Sequence, residues 1–185
     1  MRLGGLLLLV SFVVLAAAAP AVQAEDRFGI VFQGGMLQPK DQDTNDESGT
    51  EFGLRFPVNT GTFFGFEPYI YMGDSDDTVI GSGANAGTYP GVELTSWGAN
   101  ISLGRLIRPK GFRVYPFAGI GNNTLHTDGG EISKVGYNVG VGVGLSPGRF
   151  MVDLRGERNF VDVGDDTEKW DVYSLGLGLR IDPGF

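Results

Sequence analysis

Cysteine is absent from the 185 residues, so no disulfide framework braces the fold, and hydrogen bonding, packing or the surrounding solvent must do so. Helical periodicity is absent after Ala24, which turns the reading to strands. Basic residues are scarce, with 14 Lys and Arg against 22 Asp and Glu for a formal net charge of −8. Nucleic-acid binding draws on clustered Lys and Arg and is excluded. A long apolar run occurs once, from Leu3 to Ala19 behind Arg2, and the small-x-small sequence Val22-Gln23-Ala24 follows it. The run approaches the roughly 20 residues of a membrane-spanning helix. Its short basic start and immediate cleavage pattern instead predict a secretory signal peptide over residues 1–24, cleaved to leave one domain over 25–185. Removing Arg2 takes the charge to −8 − 1 = −9.

What fills residues 25–185 is alternation. Apolar residues alternate with small or polar ones about eight times, which predicts strands near 27–37, 50–58, 62–73, 92–104, 112–122, 133–145, 149–160 and 171–182. The connections alternate in length, from long "QPKDQDTNDESG" and short "NTG" to short "SPG" and long "VDVGDDTEKW". The acidic segments fall in the long connections, whereas Arg105, Arg108, Lys110 and Arg149 fall in or beside the short ones. Even strand number with alternating short turns and long loops predicts an all-β fold, an eight-stranded antiparallel up-and-down transmembrane β-barrel.

Each predicted strand has a greasy face, such as Phe28, Ile30, Phe32 and Met36, or Tyr173, Leu175, Leu177 and Leu179. These are expected to face lipid. In "VYPFAGIG" both faces are apolar, and Tyr115 with Phe117 is read as the outward pair. The opposite faces carry Gln33, Asn100 and Asn138 together with Arg55, Arg155 and Arg180 against Glu67, Asp153 and Glu157. Buried charge is costly unless paired, so this balance predicts an ion-pair network that plugs the lumen. The stretch "YNVGVGVGLSPGRFMVDLRGERNF" places glycine at every second position of one strand and charge at every second position of the next. In a lumen only wide enough for side chains, Gly140, Gly142, Gly144, Gly176 and Gly178 are expected to clear room for Asp153, Arg155 and Glu157. Trp97, Trp170, Tyr137 and Tyr173 are assigned to interfacial aromatic girdles.

"VYPFAGIGNN", "YNVGVGVGL" and "YSLGLGLRI" with a terminal Phe185 resemble the small eight-stranded outer-membrane barrels of the OmpX and OmpA transmembrane-domain type, including the opacity-like porin family. The resemblance implies location in the cell outer membrane, contact with outer-membrane lipid and lipopolysaccharide, delivery by the outer-membrane assembly machinery and a monomeric state. "DPGF" departs from the uninterrupted final strand of such clients, because Pro183 cannot donate a ladder bond. The expected function is a structural and surface-interaction protein with acidic extracellular loops and an unknown extracellular ligand, and no enzyme, cofactor or metal. The alternatives are a lipid A-modifying enzyme and a small-solute channel. Barrel deacylases carry a His-x-Ser-Asn stretch, and here Thr127 and Asp128 follow the lone His126 with no serine at the matching place. A soluble lipocalin-like barrel is disfavoured because its polar residues would face outward. Asp41, Asp43 and Asn45 have the first spacings of a calcium loop, but Asp46 and Phe52 stand where glycine and glutamate are needed. A dedicated calcium site is therefore not expected, and weak shared cation binding by the clustered loop acids is the alternative left open for these residues.

Overall fold

The computed structural model describes residues 28–39, 48–60, 63–75, 78–80, 87–89, 93–108, 110–127, 130–162 and 167–181. The predicted cleavage site and the loop carrying Asp41, Asp43 and Asn45 lie outside the described residues. The strands are β1 (Phe28–Pro39), β2 (Gly49–Arg55), β3 (Val58–Asn59), β4 (Phe64–Ser75), β5 (Thr78–Ile80), β6 (Gly87–Tyr89), β7 (Glu93–Leu103), β8 (Gly111–Thr127), β9 (Gly130–Ser146), β10 (Phe150–Asp162) and β11 (Thr167–Ile181). β5 and β6 pair only with each other, and the other nine form one sheet in which β11 returns to pair with β1. β2 and β3 both pair with β1 and β4, so together they make one broken wall strand and the closed wall has eight. Pro57, which has no N–H, causes the break. The ladder continues across it, because Gly29 N–H donates to the Pro57 carbonyl at 2.9 Å and Phe56 N–H to the Pro68 carbonyl at 2.9 Å.

Closure matters because a sheet in hydrocarbon cannot leave an edge of unpaired backbone groups. β1 and β11 pair without interruption from Phe28↔Ile181 to Pro39↔Trp170. At one end the strands are joined by tight connections. Gly148 has φ 75° in the β9–β10 turn and Gly104 has φ 101° after β7, both in the left-handed region that glycine enters without a Cβ penalty. At the other end, two of the connections expected to be long loops are paired ribbon. β8 and β9 stay in register to Thr127↔Gly130, and β10 and β11 to Asp162↔Thr167. The polarity of "NTLHTDGGEI" and "VDVGDDTEKW" marks where the wall meets water, and strand pairing continues past that boundary. β8 and β9 have 17 residues each, about 58 Å of strand at about 3.4 Å per residue. Even tilted by about 40°, they overshoot an apolar band of about 25 Å.

Side chains alternate as the pleat requires. Leu175, Leu177 and Leu179 lie on the outer surface, Leu177 56% exposed, while Asp153, Arg155 and Glu157 on the adjacent strand are buried inside. β8 corrects one expectation. Tyr115 and Phe117 face inward, 1% and 5% exposed, and Phe112, Val114 and Ile120 take the outer face. Alternation cannot choose a face when both are apolar. Arg113 fixes the phase: it is buried two residues before Tyr115, and a guanidinium is excluded from the lipid face.

Candidate functional site

The interior is built around six charges of alternating sign. Arg113 Nη2 lies 3.4 Å from Asp153 Oδ2, and Asp153 Oδ1 accepts from Arg55 Nη2 at 2.6 Å. Arg55 Nη1 donates to Glu67 Oε2 at 3.0 Å, Glu67 Oε1 accepts from Arg155 Nη1 at 2.6 Å, and Arg155 Nη2 lies 3.5 Å from Glu157 Oε2. The run is therefore Arg113, Asp153, Arg55, Glu67, Arg155, Glu157. Arg55 bridges two carboxylates and is 0% exposed. Neutral groups complete the set, since Tyr115 O–H donates to Asp153 at 2.9 Å and Asn159 Nδ2 to Glu157 at 3.2 Å. The Arg155 guanidinium lies 3.8 Å from the centroid of the Phe117 ring, a cation–π contact.

Sequence reasoning missed two buried side chains of the interior, Arg113 within the run and Glu51 outside it. Arg113 also donates to Ser146 Oγ at 2.6 Å, and Glu51 accepts from Gln33 Nε2 at 2.7 Å. Glu51 has the parity of Arg55, already assigned inward, whereas Arg113 has that of Tyr115 and Phe117, the pair read as outward, and its own charge is the signal that reverses the phase of β8. Arg180 stands apart, half-buried at the tight-turn end, where its Nη1 donates to the Gly148 carbonyl at 3.1 Å. The expected role of glycine is redistributed as well. A Cβ on Gly140, Gly142 or Gly144 would strike Phe117, Tyr115 or Arg113 of β8, whereas one on Gly176 would strike Arg55 and Asp153. The β9 glycines thus clear room for the other neighbouring strand.

Two apolar layers bracket the charges. At the tight-turn end the connection after β7 folds into the lumen, burying Leu106 and Ile107 with Val31, Met151, Tyr115 and Phe117. Asn59 holds it there, donating from Nδ2 to the Ile107 carbonyl at 2.8 Å and accepting the Ile107 N–H at Oδ1 at 3.0 Å. At the other end Leu37, Leu94, Val161, Trp170 and Val172 pack together, with Leu125 against them. Trp170 is 7% exposed, so it belongs to this layer and not to the girdle to which Trp97, Tyr137 and Tyr173 remain suited on the outer face. His126 lies outside, between Glu93 of β7 and Glu131 of β9 in cross-strand register, with Nδ1 4.0 Å from Glu131 Oε2. Asp128 lies outside the described residues.

A closed antiparallel wall that is apolar outside and ionic inside defines a transmembrane β-barrel. A family model described as outer membrane protein beta-barrel domain matches residues 6–180. The chain belongs to that family, and its location is the outer membrane. Solved structures of the same fold include the attachment invasion locus protein Ail of Yersinia pestis, with TM-score 0.51, 18% identity, 85% of this chain and 100% of that one covered. Neisserial surface protein A has TM-score 0.57 at 13% identity, covering 84% of this chain and 96% of that one. The N-terminal β-barrel domain of Pseudomonas aeruginosa OprF has TM-score 0.50 at 15% identity over 85% and 100%. Ail has also been solved with the heparin analogue sucrose octasulfate, and that structure gives TM-score 0.50 at 17% identity over 85% and 100%. No curated protein sequence matches the chain significantly. In such barrels the short turns are periplasmic and the long connections extracellular, which puts Leu106 and Ile107 at the periplasmic mouth and Trp170 towards the outside.

Proposed function

We propose that the protein is a non-enzymatic surface-interaction barrel whose interior passes no solute and whose acidic extracellular connections meet its partner. The observation that carries the closed interior is the unbroken run from Arg113 to Glu157 between two apolar layers. A permeating ion would have to part a buried pair, at a cost of about 3–5 kcal/mol, and pass Ile107 and Trp170 without its water. With no turnover inside, specificity falls to the connections, as it does where loops sit on a rigid scaffold. A polyanion such as the heparin analogue bound to Ail would be repelled here, because "KDQDTNDESGTE", "GDSDDT" and "VGDDTEKW" are acidic. A cationic partner or a cation-bridged one fits better, and Asp41, Asp43 and Asn45 are assigned weak shared cation binding. The closed wall leaves no free strand edge, which supports a monomer.

Planar-bilayer recording of the refolded protein tests the closed interior. The expected trace is flat, and a stable large conductance refutes the reading. Lipid A from cells with and without the gene should give the same acyl pattern by mass spectrometry, and a changed pattern would return His126 to a catalytic role. Removal of residues 1–24 is part of the same reading, and sequencing the membrane-inserted protein should start at Glu25.

A further inference from the structure

The outer wall carries a basic patch that the closed interior does not use. Arg158 on β10 and Asp171 on β11 are cross-strand partners, and Arg158 Nε and Nη2 donate to Asp171 Oδ1 and Oδ2 at 2.6 and 2.8 Å. The Asp171 side chain is 8% exposed and the Arg158 side chain 50%, so the carboxylate is covered while the guanidinium looks outward. The clamp uses two of its three nitrogens and fixes its plane, and Nη1 has no partner among the described residues. Lys169 stands on the same face one outward row further along β11, opposite Phe160, and the Phe160 ring stacks on Tyr137 with centroids 4.8 Å apart.

Height decides what this patch meets. From Ile181 to Tyr173 the outward residues of β11 are apolar, and that span rises about 20 Å at about 3.3 Å per residue and about 40° of tilt. Arg158 and Asp171 come next, at the extracellular edge of the apolar band. Directly below them, Gly34, Met36, Leu154, Tyr173 and Leu175 line an open cavity of about 450 Å³. Charge differs around the rim. Asp74 and Glu93 are exposed cross-strand neighbours on β4 and β7, so an anionic head group is repelled on that side and attracted on the β10–β11 side.

We propose that Arg158 and Lys169, above the cavity beside Tyr173, form a site for a phosphorylated glycolipid of the outer leaflet. The phosphate sits between Arg158 Nη1 and the Lys169 ammonium, and one acyl chain follows Met36, Leu154 and Leu175 into the band. Arginine suits this role because its planar fork can hold a carboxylate with one edge and a phosphate with the other. The inference rests on the outer-membrane location and is independent of whether the lumen conducts.

The test is native mass spectrometry of the refolded full barrel in zwitterionic detergent, titrated with purified lipid A, with phosphatidylglycerol and with inorganic phosphate. Wild type should retain lipid A in preference to both others. Losing charge-assisted bonds of this kind should weaken it at least about tenfold in R158Q/K169Q. K169Q alone and L154W, which fills the cavity and leaves the Arg158–Asp171 clamp in place, should each weaken it as well. R158K/K169R should recover part of the binding, and D74N/E93Q should bind as wild type does. Equal retention by wild type, K169Q and L154W, or no preference for lipid A over phosphatidylglycerol or phosphate, overturns the site. A folded, non-conducting barrel with that outcome would leave the closed-interior reading standing, whereas a conducting barrel that still selects lipid A would do the reverse.

Discussion

Replacing Arg55 with Met is the sharpest perturbation of the interior, because a single side chain there bridges two carboxylates and is wholly buried. After the change Glu67 keeps Arg155 at 2.6 Å, and Asp153 keeps Tyr115 at 2.9 Å with Arg113 at 3.4 Å. Both acids remain solvated by neighbours, yet the six-membered run loses one positive charge and holds three carboxylates against two guanidinium groups. An uncompensated buried charge costs about 3–5 kcal/mol. Asp153→Asn alone leaves the opposite imbalance and should cost a similar amount. The double variant R55M/D153N restores two against two, so its loss should fall short of the sum of the singles by about 2 kcal/mol. Urea titration of the barrel in lipid vesicles, followed by the gel mobility of the folded form, reads all four corners of the cycle by linear extrapolation. Single losses that add within about 0.5 kcal/mol, or an R55M loss below about 1 kcal/mol, would refute the charge-run account.

Gly142→Val should destabilise the barrel by about 1–3 kcal/mol in the same titration, because its side chain enters the space of the Tyr115 ring. Gly156→Ala should be close to neutral, since its Cβ would meet Tyr173 at an ordinary 3.6 Å. Asn59→Ala removes both hydrogen bonds that hold Ile107 in the lumen, and hydrogen exchange at residues 105–108 should accelerate while the wall strands stay protected. In lipids with brominated acyl chains, W170F should retain strong fluorescence quenching through Trp97, and W97F should show little, because Trp170 packs among Leu37, Leu94 and Val172 inside.

Parity made most of this fold legible. Wherever one face of a strand carries charge and the other Leu, Val or Phe, as in β10 and β11, the sequence itself states which side is lipid. Parity fails where its contrast vanishes, as in β8, where Tyr115, Pro116, Phe117 and Ala118 are apolar on both faces. The missing phase was two residues away in Arg113, and the same extension from Arg55 reaches Glu51 and from Ser174 reaches Val172 and Trp170. The strand ends were misjudged for a different reason. Polarity reports the edge of the membrane, and β8 and β9 pair well beyond it. Leu106 and Ile107 were invisible to any periodicity argument, since they lie on irregular backbone whose inward fold depends on Asn59, 48 residues away from Ile107 in sequence.

The interior charges also fix something that the greasy outer face cannot. Slipping one strand by one residue would turn Asp153, Arg155 and Glu157 into lipid, and charge near the bilayer midplane costs as much as about 2–4 kcal/mol for Arg or Lys. That error is excluded by the outer face alone. A slip of two residues is different, because every side chain keeps its face and the apolar wall is unchanged. What changes is the partner. Moving β10 by two along β9 and β11 would carry Asp153 away from Gly176, the position whose bare backbone leaves room for Arg55 and Asp153 together. Asp153 would lose the 2.6 Å bond to Arg55, and Arg155 would lose its 2.6 Å bond to Glu67. Between apolar layers those groups have no water to turn to, so each broken pair keeps its full penalty. The glycine stripe and the alternating charges together therefore select one register from a set that lipid-facing leucines and valines leave nearly equal in energy.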